Sequence, residues 1–358
     1  MIKKAITFIF VIVMLVACQS EKTNDSNKAQ KQHEGEKVVI EQEEIQPLTI
    51  EQSAFHGIGD WYDDHHVLVI KEDKQGFVID KYNIYTGEAE PFFYSDDKII
   101  SVKANDDDKM FLVHIASSEQ EATLLVLNRD GEIEDTFTME SFDVQYTWNP
   151  FSTDEVFITS FLEDWTFHLF LRNTTTKAHQ LYDLPQPFIH WIGEDEIAYL
   201  DLDDTLENPY APLVVLNLNT DEERVVKDQV VGLSSSKSLI VTIEENNGVG
   251  TYTFFNSEFK KLDKMKLPII TEHEGLMIPY SQIDQASQSF YTFSAGVDNQ
   301  FDLIGYSLKD RKAQVIVEDM ENMPLNLSIN GKLSLVGYQF EQIIDIEEGD
   351  VIDLVNFK

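Results

Sequence analysis

The sequence predicts an all-β fold, a β-propeller built from four-stranded blades. One observation behind this prediction is a repeated pattern of a short apolar strand, a polar turn and a second strand, which is typical of β-hairpins. A second is that seven such hairpins recur about every 44 residues, the spacing of a four-stranded repeat. A third is that no segment after the N-terminal leader has the apolar spacing of an ordinary amphipathic helix.

Each hairpin combines an alternating strand with a turn rich in Asn, Asp, Gly or Lys. The seven strands, with their turns, are 77–85 (86–88), 122–127 (128–131), 167–171 (173–177), 213–218 (219–221), 251–255 (256–258), 301–308 (309–311) and a weaker 343–346 (347–350). Two further strands precede most hairpins, as in 99–102 with 110–115, 188–192 with 196–200, and 325–328 with 332–337. Four-stranded sheets arranged around an axis leave only short, protected edges, which favours a propeller.

The N-terminus has the pattern of a secretion signal. Lys3 and Lys4 precede the uncharged run 5–17, which is apolar apart from Thr7 and shorter than a spanning helix requires. The run ends in Leu-Val-Ala before Cys18, and this stretch resembles the lipobox of bacterial lipoproteins. The resemblance implies cleavage before Cys18 and a diacylglycerol on its thiol, whose two chains give a stable membrane anchor. The alternative is an ordinary signal peptide that happens to end in cysteine.

The chain therefore divides into three parts: a signal peptide at 1–17, a lipidated Cys18 with a flexible acidic tether at 18–37, and the propeller domain at 38–358. The tether has few apolar residues, so it cannot offset its ordering entropy by burial. Cys18 is the only cysteine, so the fold must be held by its core without an intrachain disulfide. The predicted location is the outer face of the cytoplasmic membrane.

Net charge limits the choice of partner. The chain carries −37, and losing Lys3 and Lys4 with the signal makes it more negative. Such a surface repels phosphate backbones, so no nucleic-acid partner is expected. The excess charge either maintains solubility or provides a surface for cations or basic partners.

The lipobox, the tether and the blade pattern together resemble the YqgU-like lipoproteins of Gram-positive bacilli over nearly the full length. The resemblance implies a six-bladed β-propeller domain and carries no assigned function. Our hairpin count is seven, so six blades would require the first or the last hairpin to serve as closure or appendage.

Catalytic and metal-binding motifs are missing from the sequence. It contains no G-x-S-x-G, H-E-x-x-H, P-loop or G-x-G-x-x-G pattern. No cofactor is predicted. His65 and His66 would point to opposite sheet faces, which makes a shared metal difficult. The acidic runs 106–108 and 201–204 do not follow the order of a calcium loop, and solvated turn carboxylates explain them.

Two function classes remain. We favour a binding or assembly scaffold that presents one propeller face to a protein or cell-wall partner. The alternative is an extracytoplasmic hydrolase or lyase acting on cell-wall sugars or peptides, with residues converging at the propeller axis. A funnel filled by aliphatic side chains would argue against the enzyme, whereas converging carboxylates, His or Arg would favour it.

The longest connections indicate where a partner would dock. In a propeller, second-to-third-strand and blade-to-blade connections emerge on the same face, and 201–212 and 267–275 are of these two kinds. The first contains Asp203, Asp204 and Tyr210, and Asp164 with Trp165 should reach the same face from the preceding blade. Aromatic and carboxylate groups suit a cationic or sugar-bearing partner. The alternative is a solvated insertion without a role.

The tryptophans Trp148, Trp165 and Trp191 lie in or beside predicted strands. Aromatic side chains at such positions ordinarily pack between blades. Trp165 is therefore open to two interpretations, packing between blades or contact with a partner.

Overall fold

The computed structural model describes residues 44–105, 107, 109–118, 120–203, 208–272, 275–298 and 300–358. Seven four-stranded antiparallel sheets, the blades, form a ring within this part of the chain. All seven predicted hairpins are present, and each provides the third and fourth strands of one blade. The signal peptide, Cys18 and the tether lie outside the described residues.

The four strands of each blade follow one another in sequence and in space, with the first strand innermost. Blade 1 consists of β2 (Phe55–Asp63), β3 (His66–Asp73), β4 (Gly76–Asn83) and β5 (Ala89–Ser95). Blade 2 consists of β6 (Lys98–Ala104), β7 (Met110–Ser118), β8 (Glu121–Asn128) and β9 (Ile133–Glu140). Blade 3 consists of β10 (Asp143–Trp148), β11 (Glu155–Phe161), β12 (Phe167–Asn173) and β13 (His179–Tyr182). Blade 4 consists of β14 (His190–Trp191), β15 (Glu196–Leu200), β16 (Ala211–Asn217) and β17 (Glu222–Val230). Blade 5 consists of β18 (Gly232–Ser235), β19 (Ile240–Asn246), β20 (Val249–Phe255) and β21 (Lys261–Pro268).

A small hairpin, β22 (Thr271–Glu272) with β23 (Gly275–Leu276), lies in the connection to blade 6. Blade 6 consists of β24 (Ser281–Asp284), β25 (Ser289–Ala295), β26 (Phe301–Ser307) and β27 (Lys312–Met320). Blade 7 consists of β28 (Leu325–Leu327), β29 (Leu333–Val336), β30 (Gln342–Asp345) and β31 (Val351–Asp353). A 3₁₀ turn, Gln52–Ala54, is the one helical segment among the described residues, and no helix there is long and apolar enough to cross a membrane.

The core lies between the blades. Successive side chains of a strand point to opposite faces of its sheet, and in this fold both faces are covered by a neighbouring blade. In β3 the run Val67 to Ile70 is therefore buried throughout: Val67 and Val69 pack toward blade 7, whereas Leu68 and Ile70 pack toward blade 2. Seven apolar clusters arise in this way, one at each junction of two blades.

The ring closes between blade 7 and blade 1. Besides the apolar cluster at this junction, β1 (Leu48–Ile50) pairs in parallel with β32 (Val355–Phe357) near the two ends of the domain. Inside the ring, Asn326 Nδ2 donates to Asp60 Oδ1 at 2.7 Å, and Trp61 Nε1 donates to the carbonyl of Asn326 at 2.9 Å. The first and last hairpins are thus parts of complete blades, so the blade number is seven and not the six that the resemblance implies.

A blade's connections alternate between the two faces of the ring. One face carries the first-to-second and third-to-fourth connections, and we call it the turn face. At each third-to-fourth turn, a side chain at or next to the end of the third strand accepts backbone N–H bonds of 2.8–3.2 Å. These capping residues are Asn83, Asn128, Asn173, Asn217, Asn256, Ser307 and Asp345. Such local bonds fix the turn without help from the rest of the molecule.

Candidate binding face

Exposed apolar side chains are distributed unequally between the two faces. Among large apolar side chains of the described connections, eight are exposed on the face opposite the turn face, and Ile329 is the one exposed on the turn face. We call this opposite surface the aromatic face. Its eight exposed residues are Phe142, Trp165, Phe188, Tyr210, Met277, Tyr280, Val297 and Tyr338.

Trp165 occupies the turn between β11 and β12 in a conformation that is unusual for a bulky residue. Its φ is 64°, in the left-handed region, and its side chain is 66% exposed. The backbone N–H of Trp165 donates to the carbonyl of Leu162 at 2.9 Å, and Asp164 Oδ1 accepts from Thr166 N at 3.0 Å and Thr166 Oγ1 at 2.6 Å. These bonds to Thr166 also lower the pKa of the Asp164 carboxyl. The turn thus holds an aromatic ring in solvent at a cost in backbone strain.

Three phenylalanines extend the apolar surface around Trp165. Its ring centroid lies 6.1 Å from that of Phe142 and 6.3 Å from that of Phe161. Phe161 in turn lies 5.9 Å from Phe188. Phe142 and Phe188 come from the connections before and after blade 3, and both are more than half exposed. The result is a contiguous patch of aromatic rings across blade 3, of the kind that marks interaction sites.

The long connection between β15 and β16 lies beside this patch. Gln186, in the same connection as Phe188, donates from Nε2 to the carbonyl of Leu202 at 2.9 Å. At the other end, the Tyr210 hydroxyl donates to the Glu245 carboxylate of blade 5. This bond raises the pKa of Tyr210 and lowers that of Glu245. The two described ends of this connection, 201–203 and 208–210, are therefore bonded to the preceding blade-to-blade connection and to blade 5.

Four of the five predicted site residues lie on the aromatic face. Asp164, Trp165, Asp203 and Tyr210 lie on second-to-third connections of neighbouring blades, as the sequence indicates, and Asp204 lies outside the described residues. Their role in binding stays a prediction. The second long connection runs from 269 to 280, slightly later than the predicted 267–275, because β21 continues to Pro268.

The prediction of interblade packing succeeds for two tryptophans and fails for the third. Trp148 and Trp191 are buried at the junctions on either side of blade 3, whereas Trp165 is exposed. Phe142 and Phe188 are the members of the patch that the sequence analysis missed. Phe188 was assigned to a strand, but that strand begins only at His190. The sequence signal that could have identified Phe188 as exposed is its position in a connection, beside prolines and polar residues.

The innermost strands of the blades surround an axial channel. Two carboxylates, Asp60 and Asp284, lie at its opening on the turn face, and both form hydrogen bonds within the fold. Asp60 accepts from Trp61 N, Asn326 Nδ2 and, on its second oxygen, Ala104 N at 3.0 Å. Asp284 accepts from the backbone N–H of Ala286 and Ser287 and from the Ser287 hydroxyl. Asp60 ties blades 1, 2 and 7 together, and Asp284 closes the β24–β25 turn.

Within the described residues no three His, Asp, Glu or Cys side chains are grouped to hold a metal ion. His66 bonds to Asp63 at 2.8 Å and to Asn83 at 3.1 Å, whereas the ring of His65 packs against Tyr85. The two histidines therefore have separate structural neighbours.

Comparisons with known proteins agree that the fold is a β-propeller, although the family description counts six blades where this structure has seven. Residues 83–337 match the family model described as "YqgU-like 6-bladed beta propeller domain". The chain is similar to the uncharacterized lipoprotein YqgU of Bacillus subtilis, with 26% identity over 99% of this chain and 98% of that protein. Among solved structures, the uncharacterized protein lmo1340 of Listeria monocytogenes superimposes with a TM-score of 0.81 at 21% identity, over 88% of this chain and 98% of that one. Dipeptidyl peptidase 4 of Porphyromonas gingivalis superimposes with a TM-score of 0.53 at 11% identity, over 85% of this chain and 60% of that one. The segment that the family model matches, 83–337, begins at the end of β4 and ends after β29. It therefore omits the first three strands of blade 1 and the outer two strands of blade 7.

Proposed function

The chain belongs to the YqgU-like six-bladed β-propeller family, and we propose that it is a lipid-anchored scaffold of the cell envelope whose aromatic face binds a partner. The observation that carries this proposal is the unequal distribution of exposed apolar side chains between the two faces. Water disfavours such side chains, and contiguous apolar patches on a soluble domain are typical of interaction sites.

The turn of Trp165 supports the same conclusion. A left-handed conformation costs a bulky L-residue about 1–2 kcal/mol, and Asn or Gly at this position would avoid that cost. The ring gains little burial in return, since two thirds of it remains exposed. A contact with a partner would bury this ring together with Phe142 and Phe188, and aromatic anchors of this kind dominate the energetics of interfaces.

The chemistry of the face indicates the class of partner. Asp164, whose pKa is lowered, directly precedes Trp165, and Asp203 follows Leu202, whose carbonyl accepts from Gln186 of the connection that contains Phe188. Aromatic faces attract cations and stack on sugar rings, and carboxylates accept bonds from ammonium or hydroxyl groups. We therefore favour a protein with basic side chains or a sugar-bearing component of the cell wall.

An alternative role in catalysis receives less support. The two carboxylates at the channel mouth, Asp60 and Asp284, have their oxygens engaged with backbone and side-chain donors. A general acid or base needs an oxygen that is free to exchange a proton with substrate. A scaffold needs only a rigid frame and a presented surface.

The anchor is tested by replacing Cys18 with Ala in the full-length chain. We expect the variant to remain uncleaved or to be shed into the medium, because the thiol that would carry the diacylglycerol is missing. Fractionation and mass spectrometry of the N-terminus measure the result. A variant that is matured and held at the membrane like the wild type contradicts the anchor.

The binding face is tested by a double variant, Trp165→Ser with Phe188→Ser, in the anchored protein. We expect the set of proteins and wall fragments recovered after cross-linking in cells to lose its main members. The matched control is Ile329→Ser on the turn face, which removes an exposed apolar side chain of the opposite surface. Equal losses in both variants, or none in either, would argue against the aromatic face.

The long connection is tested separately by changing Asp203, Asp204 and Tyr210 together to Ala. If it contributes to the interface, partner recovery falls while the melting temperature stays near that of the wild type. An unchanged partner set, with the fold intact, removes this connection from the interface and leaves the patch around Trp165 as the candidate.

A further inference from the structure

The two faces of the ring differ in charge as well as in apolar exposure. In the described connections of the aromatic face, ten Asp and Glu residues accompany a single basic residue, Lys74. In the described connections of the turn face, eight Lys and Arg residues accompany fourteen Asp and Glu residues. Basic side chains therefore offset more than half of the negative charge on the turn face and almost none of it on the aromatic face.

Two of these carboxylates come from the connections that carry the aromatic patch across blade 3. Glu163 shares the turn of Trp165, and Asp183 begins the connection that contains Phe188. Both acidic side chains are exposed, and neither forms an ion pair or a side-chain hydrogen bond within the described residues. No basic side chain of the described part of the chain compensates their charge, so a partner can supply the cations.

The rings of the aromatic patch carry no cation either. Elsewhere in the described part of the chain, Lys or Arg side chains lie over four aromatic rings, at 4.0–5.5 Å from the ring centroid. Within that part of the chain, none lies over a ring of the patch. Aromatic rings attract the cations of Lys and Arg, and the attraction increases when the contact excludes water. The patch therefore offers a partner the same kind of contact that the chain forms internally.

The described chain enters the domain on the turn face. Gln46 N donates at 2.7 Å to the carbonyl of Ile84, in the third-to-fourth turn of blade 1, and the Tyr82 hydroxyl donates at 2.6 Å to the carbonyl of Gln46. The segment that joins the domain to the predicted anchor at Cys18 is therefore attached at the end of the ring opposite the aromatic face. The acidic aromatic face is also the one that an anionic membrane surface repels more strongly.

We propose that the aromatic face binds a basic segment of a polypeptide, whose Lys or Arg side chains lie over the patch and pair with the carboxylates around it. This inference rests on the function proposed above and selects one of the two partner classes named there. A neutral glycan could stack on the rings, but it would leave the carboxylates without a counter-charge. Arg is the best suited cation, because its planar guanidinium both stacks on a ring and bonds to a carboxylate.

The test titrates the full-length lipoprotein, in a zwitterionic detergent, with three probes. The basic probe is a peptide of about twelve residues that alternates Arg with Gly and Ser, the acidic probe has Glu in place of Arg, and the neutral probe is a tetramer of N-acetylglucosamine. We expect saturable binding of the basic peptide, tighter than that of the other two probes by about tenfold or more and weakened by added NaCl.

Failure of this inference is distinguishable from failure of the proposed function. If the glycan binds saturably and the basic peptide does not, the partner class is wrong and the aromatic face remains a binding surface. If the basic peptide does not bind and cross-linking from the aromatic face in cells also recovers no partner, both proposals are wrong.

Substitutions on the two faces locate the site of the basic peptide. Glu163→Gln with Asp183→Asn removes two carboxylates beside the patch and should weaken binding by about threefold to tenfold. Trp165→Ser should weaken it by about tenfold or more. The matched control, Asp221→Asn with Glu258→Gln, removes two exposed carboxylates of the turn face and should bind as the wild type does, because distant surface charges are screened. Equal weakening by the two charge pairs, or wild-type affinity in Trp165→Ser, contradicts the proposal.

Discussion

The two faces of this propeller are built from the same strands but differ in how their connections are held. On the turn face, seven third-to-fourth turns repeat one device, a side chain that caps the end of the third strand. On the aromatic face, connections vary in length from one residue between β17 and β18 to twelve between β21 and β24, where they include the small hairpin of β22 and β23, and they expose eight large apolar side chains. The first face is regular and locally stabilised, whereas the second retains strain and apolar exposure.

This difference indicates which residues serve stability and which are available for recognition. A capped turn contributes to folding regardless of what surrounds the protein. An exposed Trp in a left-handed turn contributes little to folding, so its presence needs another reason. Substitutions on the turn face should therefore change the free energy of unfolding, and those on the aromatic face should change binding.

The largest effect is expected for Gly131→Ala in the third-to-fourth turn of blade 2. Gly131 has φ 78°, and a Cβ there would lie 2.2 Å from the carbonyl oxygen of Phe92 in blade 1. Left-handed strain and overpacking together should lower the free energy of unfolding by about 3 kcal/mol. The matched control is Gly87→Ala in blade 1, with φ 73° and no atom closer than 3.6 Å, for which about 1 kcal/mol is expected. Equal losses in urea denaturation would refute the contact across the blade junction.

The next effect concerns pH, through His190 at the start of the innermost strand of blade 4. Its folded pKa of about 4 is below the ordinary 6.5, so on acidification the unfolded chain takes the proton first. Stability is therefore lost as the pH falls from about 6.5 toward 4, by on the order of 2–3 kcal/mol at pH 4.5. His190→Gln should have a flatter stability profile over this interval, whereas His168→Gln, a change at an exposed ring on β12, should keep the wild-type profile. Parallel profiles of His190→Gln and the wild type would contradict the burial of His190.

A smaller effect is expected for removal of a turn cap. Asn217 Oδ1 accepts from Asn219 N and Thr220 N, both at 3.0 Å. Asn217→Ala should lower the free energy of unfolding by about 1 kcal/mol, as for other side-chain caps, and partner recovery should not change. Asn219→Ala, at an exposed position of the same turn, is the control. If the two variants melt at the same temperature, the cap has no role in stability.

The smallest change in stability is expected on the aromatic face. Trp165→Asn replaces a strained residue by one that tolerates φ of 64°, and it removes a mostly exposed ring. The free energy of unfolding should stay within about 0.5 kcal/mol of the wild type, or rise slightly. A loss as large as that of Asn217→Ala would mean that Trp165 serves the fold.

Sequence alone predicts the repeated part of this molecule better than its exceptions. The hairpins were visible because each strand is followed by a turn with Asn, Asp or Gly at its capping positions, and such signals are local. Seven blades followed from counting those hairpins. The innermost strands were harder to locate, since β14 and β28 are only two and three residues long.

The candidate site was predictable only in part, for a physical reason. Connection length indicated the face and led to Trp165 and Tyr210. Whether an aromatic side chain near a strand end is buried depends on the neighbouring blade, which is distant in sequence, so Trp148 and Trp165 could not be told apart.

The most direct test of the aromatic face places a photo-crosslinking amino acid at single positions of the anchored protein in living cells. Phe142 represents the aromatic face, and Ile329, also exposed, represents the turn face. Irradiation followed by mass spectrometry should yield adducts with an envelope component from position 142 and none above background from position 329. Adducts from position 329 without any from position 142 would contradict the assignment of the aromatic face as the surface that binds the partner.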